Sequence, residues 1–238
     1  MIDAAGHCGY KSSSLTHLLV IFILLLIIII IIMKLQLLLF SVLLRLSVSA
    51  PMGDNCDTLT QPLSLENTSV LEGGAHLLYG YTDNDVYKMF LNMTQSSAFN
   101  ITVHNGNVTF HEENKINGSC IGMTVELEIK DNTVTMSAND VKSSLHLLPT
   151  CEGCYVFYGN SSAKNLDKLL SKMHLNVDHV GDVVNAHALY FFARETSAKD
   201  EDLQHFKNQA HCLGFNRDAD FIYHAENTFC EEGEGLKV

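Results

Sequence analysis

The chain has 238 residues and a formal net charge of −12, with 15 Lys and Arg against 27 Asp and Glu. So acidic a chain lacks the clustered cations needed to neutralise phosphates, which excludes nucleic acid as a partner. Hydrophobic residues make up 47% of it, enough to build a packed core, so disorder is not the default state.

Residues 1–50 differ in composition from the rest and read as a leader, leaving 51–238 as one domain of barrel size. The leader holds two apolar blocks, Leu18 to Met33 with its run Ile27 to Ile32, and Leu35 to Val48. Read from Met33, the second block is laid out as a signal peptide. Lys34 supplies the positive start, Leu35 to Leu46 the apolar stretch and Val48-Ser49-Ala50 a small-residue cleavage site. The functional signal is therefore expected over 33–50, with a low-complexity run upstream. The rival reading is an uncleaved anchor over Leu18 to Leu44, long enough to span a bilayer with tilt, which would tether the protein to a membrane or a lipoprotein.

Beyond the leader the pattern has a period of two. Met123 to Lys130 alternates apolar and polar without a fault, Asp131-Asn132 follows, and Thr133 to Ala138 alternates again, which predicts a hairpin with a two-residue turn. Shorter runs of the same kind cover Ala75 to Thr82, Ser97 to His104, Asn107 to His111, Ser143 to Leu148, Tyr155 to Tyr158 and Ala186 to Arg194. Eight short strands joined mostly by hairpins predict an up-and-down antiparallel barrel. A helix is predicted over Lys164 to His174 from Leu166, Leu169, Leu170 and Met173. A second, packed outside the barrel, is predicted from a capping box at Ser197-x-x-Asp200 through Leu213, with Leu203, Phe206, Ala210 and Leu213 on one side. Gly214 ends it, Asp220 to His224 adds a short strand, and Glu231 to Val238 reads as a solvated tail. The fold class is thus all-β with accessory helices.

Cys8 lies in the leader, so the mature chain keeps Cys56, Cys120, Cys151, Cys154, Cys212 and Cys230, an even set that reads as three disulfides in a secreted protein. Cys151-Glu152-Gly153-Cys154 sits between two apolar runs as a tight turn, which favours a structural disulfide over a redox pair or a metal site. No metal or cofactor is expected. Asn67, Asn92, Asn100, Asn107, Asn117 and Asn160 each open an N-x-S/T sequon and are expected to carry glycans in an extracellular setting. Asn100 has the opposite parity to Phe99, Ile101 and Val103, and Asn107 the opposite parity to Val108 and Phe110. Glycans outside and apolar residues inside are therefore mutually consistent.

Three segments, Cys56 to Leu63, Ala193 to Lys207 and Asp220 to Cys230, together with the order of strands, late helix and cysteines, resemble the lipocalins over nearly all of residues 55–235. Within that family the likeness is to alpha-1-acid glycoprotein and fish plasma lipocalins, and more distantly to apolipoprotein M. The resemblance implies pairing Cys56 with Cys212 and Cys120 with Cys230, leaving Cys151 with Cys154, where six cysteines alone permit fifteen pairings. One departure is clear. The family's Gly-x-Trp at the first strand reads Gly73-Gly74-Ala75 in a chain with no tryptophan, so the barrel base is either a cavity or repacked.

By the same likeness Tyr87 matches a tyrosine in the mouth loop, Phe99 a cup phenylalanine, and Met136 stands where a basic cup residue would be. Alternation turns Ile101, Val103, Phe157, Tyr190 and Phe192 inward as well. These residues predict an aromatic cup that binds and transports a small hydrophobic or amphipathic molecule, whether lipid, toxin or xenobiotic. Enzyme activity is not expected. The lipocalin isomerases need a free thiol in the barrel, and every mature cysteine has an assigned partner. His146 and His187 fall in strands and read as wall residues rather than bases.

Overall fold

The computed structural model describes residues 33, 34, 36, 56–138, 140–172, 181–231 and 233–237. Apart from Met33, Lys34 and Gln36, the leader with its apolar blocks and cleavage site lies outside the described residues, as does the expected helix end from Met173 to His174.

From Cys56 onward the chain runs through α1 (Cys56–Thr60), a 3-10 turn (Thr68–Leu71), β1 (Gly73–Thr82), α2 (Asp85–Met93), β2 (Thr94–His104), β3 (Asn107–Ile116) and β4 (Ser119–Lys130). There follow β5 (Thr133–Ala138), β6 (Val141–Leu148), β7 (Cys154–Lys164), α3 (Leu166–Lys172), β8 (Val183–Ala193), α4 (Asp200–Cys212), β9 (Phe221–Ile222) and β10 (Leu236–Lys237). Strands β1 to β8 pair antiparallel with their sequence neighbours, β1 pairs β8, and the ring is an up-and-down barrel. Three of the hairpins turn on residues with positive φ, namely Asn105-Gly106, Asn117-Gly118 and Asp131-Asn132. Left-handed backbone at both central positions matches the twist of the flanking strands, and Asn, Asp and Gly tolerate it best.

Alternation decides what fills the barrel. On β2 Phe99 and Ile101 are buried and Asn100 is exposed; on β3 Val108 and Phe110 are buried. β8 is different, because it is covered on both faces. Tyr190 and Phe192 turn inward, while Leu189 and Phe191 pack under α4 with Phe206, Ala210 and Tyr81. That double burial explains the unbroken apolar run at its end.

The N-terminal segment crosses the closed end. Leu63 N–H donates to the Leu147 carbonyl at 2.8 Å, Leu65 N–H donates to the Asn132 side chain at 2.9 Å, and the 3-10 turn seats Leu71 with no exposed surface. The Tyr155 hydroxyl, donating to the Glu72 carbonyl at 3.0 Å, closes the base from the other side. Gly73 sits between them with φ 124°, in left-handed backbone and against the Tyr155 hydroxyl and Arg194 guanidinium, where a Cβ would crowd both. The tryptophan-less base is repacked rather than empty.

The structure departs from the expected pattern in three places. The late helix begins at Asp200 with Lys199 as N-cap and no side-chain capping bond, so Ser197 forms no capping box. Asp200, Glu201 and Asp202 in its first turn favour the helix N-terminus electrostatically instead. A helix over Asp85–Met93, absent from the sequence reading, stands between β1 and β2. Asn84 caps it, accepting from Val86 N–H at 2.9 Å and Tyr87 N–H at 3.4 Å. The C-terminal tail is exposed yet tied down, since Leu236 and Lys237 pair with Ile121 and Gly122 of β4, and Gly233 N–H donates to Glu113 at 3.1 Å. Strand β9 pairs β1, as the short run near Asp220 predicts. The predicted six-cysteine pattern is present as three disulfides, Cys56–Cys212, Cys120–Cys230 and Cys151–Cys154.

Candidate functional site

The barrel encloses a cavity of about 250 Å³ that opens toward α2. Its floor is apolar and aromatic. Phe99 stands at the centre, with ring centroids 5.5 Å from Phe110, 5.3 Å from Tyr155, 6.1 Å from Phe157 and 4.8 Å from Phe192, three of the four edge-on. Edge-to-face pairs at these distances add to the area they bury. Leu71, Leu77, Ile101, Leu127 and Val134 complete the lower wall.

Nearer the mouth the lining turns polar. Ser97 and Asn114 pair across β2 and β3, Glu112 pairs with Phe99 on the same two strands, and Ser143 and Ser161 join hydroxyls at 2.7 Å across β6 and β7. Tyr190 faces them from β8. Above lie Tyr87, Phe90 and Leu91 of α2, so this helix forms part of the roof. The Tyr87 hydroxyl is buried and points at Ser161 without a well-formed hydrogen bond.

Among the described residues Glu112 is the one charged residue in this lining. Its carboxylate accepts from the Ser97 hydroxyl at 3.4 Å. Burial pushes its pKa above the ordinary carboxylate range, and hydrogen bonds from Asn114 and Ser97 only partly oppose the shift. Burial also raises the Tyr190 phenol, and nearby Tyr87 and Glu112 add to that. Neither tyrosine ionises near neutral pH.

Of the residues expected in the cup, Tyr87, Phe99, Ile101, Phe157, Tyr190 and Phe192 line this cavity together. Val103 does not. It pairs with Val108 toward the closed end and packs against the core below the cavity. Met136 lines the wall. The sequence reading missed Ser97, Glu112, Asn114, Ser143 and Ser161. The parity that places Val108 and Phe110 inside also places Glu112 and Asn114 inside, but only once β3 runs on to Ile116. His187 and His146 are satisfied wall residues. His187 bonds Asp83 through both its ring at 2.8 Å and its backbone N–H at 2.7 Å, and His146 contacts the Asn132 carbonyl at 3.2 Å.

No family model and no curated protein sequence matches the chain. Among solved structures, a siderocalin described as having a dual ligand binding mode is similar with a TM-score of 0.50 at 9% identity, covering 71% of this chain and 99% of its own. The barrel is a lipocalin barrel. Another siderocalin, described as functioning through dual ligand specificities, aligns with a TM-score of 0.49 at 8% identity, over 65% of this chain and 94% of its own. A dog lipocalin allergen aligns with a TM-score of 0.43 at 18% identity, over 67% and 92%. At such identities the likeness concerns the lipocalin fold alone.

Proposed function

We propose that this chain is a secreted, glycosylated plasma carrier of the alpha-1-acid glycoprotein kind, which holds one small hydrophobic or amphipathic molecule in its barrel. The observation that carries this reading is the cavity itself: an aromatic floor, a polar belt above it and a roof of α2 around one volume just below the usual size range of ligand pockets. Such a gradient suits a ligand that enters apolar end first and leaves a polar end under the roof. Tyr87, Phe99, Ile101, Phe157, Tyr190 and Phe192 are the proposed contacts.

Secretion is supported by three disulfides, which persist in oxidising compartments, and by the exposure of all six sequon asparagines, Asn67, Asn92, Asn100, Asn107, Asn117 and Asn160. Residues 33–50 are the proposed cleaved signal and 51–238 the mature domain. A carrier is favoured over a thiol-dependent isomerase because all six cysteines from Cys56 onward are held in disulfides and none is free as a nucleophile.

Expression in cultured vertebrate cells tests the reading. The expected product appears in the medium, starts near Pro51, shifts in mass on deglycosylation and, by native mass spectrometry, carries or accepts one small molecule. A product retained on membranes with its leader intact would replace secretion by anchoring. A released protein that accepts no small molecule would overturn the carrier.

A further inference from the structure

Resting on that carrier reading, we propose that the barrel has a second entrance in its wall, a gap between β4 and β5 through which an apolar ligand enters and leaves the cup without displacing α2. Strand pairing defines the gap. β4 is paired with β3 from Ser119 to Leu127, and β5 is paired with β6 from Val134 to Ala138. Between themselves β4 and β5 pair only beside their turn, at Glu128 with Thr135, Ile129 with Val134 and Lys130 with Thr133. Carried on in the same register, Leu127 would meet Met136 and Glu126 would meet Ser137, yet among the described residues the two strands do not pair there. The β4 edge is taken up again at Ile121 and Gly122 by β10, which must lie on the β5 side because β3 holds the other edge at both residues. The gap thus runs along Met123 to Leu127, with the C-terminal strand at one end and the Asp131-Asn132 turn at the other.

Burial supports the gap independently. A closed wall buries every second side chain, and on β2 and β3 the inward Phe99, Ile101, Val108 and Phe110 are buried. The inward Met123, Val125 and Leu127 of β4 and Met136 of β5 stay partly exposed, although they pack against the same core. Apolar residues left half-exposed along one seam mark where the wall stands open. The seam also leads into the cup, because Leu127 and Met136 both line the cavity. Outside it, Thr124, Glu126 and Ser137 are exposed, so the gap opens to solvent. The two routes differ in what must move. At the mouth, Tyr87, Phe90 and Leu91 sit on a helix capped by Asn84, and exchange there needs that helix to shift as a unit. At the gap the backbones are already unpaired, and the obstruction is the side chains of Met123, Leu127 and Met136. Methionine is unbranched and adaptable, and exposed side chains change rotamer far faster than a helix is displaced.

Stopped-flow mixing of the mature protein with the apolar fluorophore N-phenylnaphthylamine tests the route. Glu126→Cys with Ser137→Cys sets two outward thiols opposite one another and away from the cavity lining, and their oxidation staples the gap. The stapled protein should take up and release the probe roughly tenfold more slowly with a nearly unchanged Kd, because closing an entrance slows both directions alike. Met136→Ala, which widens the gap, should raise the association rate about threefold, and it decides the matter if the thiols fail to pair. Rates unchanged by the staple, or an association rate unchanged in Met136→Ala, would overturn the side entrance, assign exchange to the α2 mouth and leave the carrier standing. A staple that weakens binding while association stays fast would overturn it by making the gap part of the binding surface. Failure of the wild-type protein to take up the probe would count against the carrier reading itself.

Discussion

The Ser97 hydroxyl reaches a carboxylate oxygen of Glu112 at 3.4 Å inside the barrel, and among the described residues no basic side chain lines the cavity to neutralise that acid. A folded-state pKa raised above the unfolded value means the native state binds more protons between the two values, so stability falls as pH rises through that window. Glu112→Gln removes the ionisable group. The variant should melt higher than wild type at pH 8 in the absence of ligand, by about 2–4 °C for each kcal/mol relieved, and the gap should close toward pH 4. Differential scanning calorimetry across that range checks it, and a gap that widens on acidification would show the sign to be wrong.

Phe99 is 4% exposed and touches four aromatic rings. Phe99→Ala should cost about 3–5 kcal/mol of stability, the range for deleting a buried aromatic side chain. It should also weaken an apolar ligand by about 1–3 kcal/mol. Urea unfolding and ligand titration on the same preparation separate the two losses. A stability loss with affinity kept or improved would place Phe99 in the core but outside the binding surface.

The three disulfides should differ in worth. Cys56–Cys212 spans 156 residues and pins α1 to α4, whereas Cys151–Cys154 spans 3. In the chain-entropy view, paired serine replacement of the first costs about 5 kcal/mol and of the last about 2 kcal/mol. Denaturation midpoints of the two double variants should keep that order.

Gly159 on β7 lets β6 and β7 close the barrel wall. A Cβ there would collide with the Ser144 carbonyl oxygen, which belongs to the backbone and cannot rotate away. Gly159→Ala should therefore destabilise the fold by about 1–3 kcal/mol or more. A melting temperature equal to wild type would show that the strands separate at no cost.

Much of the barrel was legible because a period of two is a direct consequence of strand geometry. Met123 to Lys130 shows it without interruption, and each sequon asparagine in a strand falls on the outward parity. α2 was hidden because its apolar residues, Val86, Tyr87, Phe90 and Leu91, repeat at helical spacing over only 9 residues between two strands, too short a run to stand out beside them. Its main signal is one capping side chain, Asn84. Ser197-x-x-Asp200 failed the other way: the spacing fits a capping box, yet Lys199 takes the N-cap position without a side-chain capping bond, and the acidic first turn already favours the N-terminus. Glu112 escaped because a polar residue breaks an apolar alternation, and β3 appeared to stop at His111. A charged inward position looks like the end of a strand until tertiary structure shows the same parity continuing to Ile116.

The most direct test of the account is fluorescence titration of the mature protein with N-phenylnaphthylamine, a neutral apolar probe that brightens on leaving water. The chain has no tryptophan to interfere. Saturable binding at one site per chain is expected, with displacement by octanol and weaker binding to Phe99→Ala. An absence of saturable binding to the folded wild-type protein would contradict it and leave the barrel as a filled core.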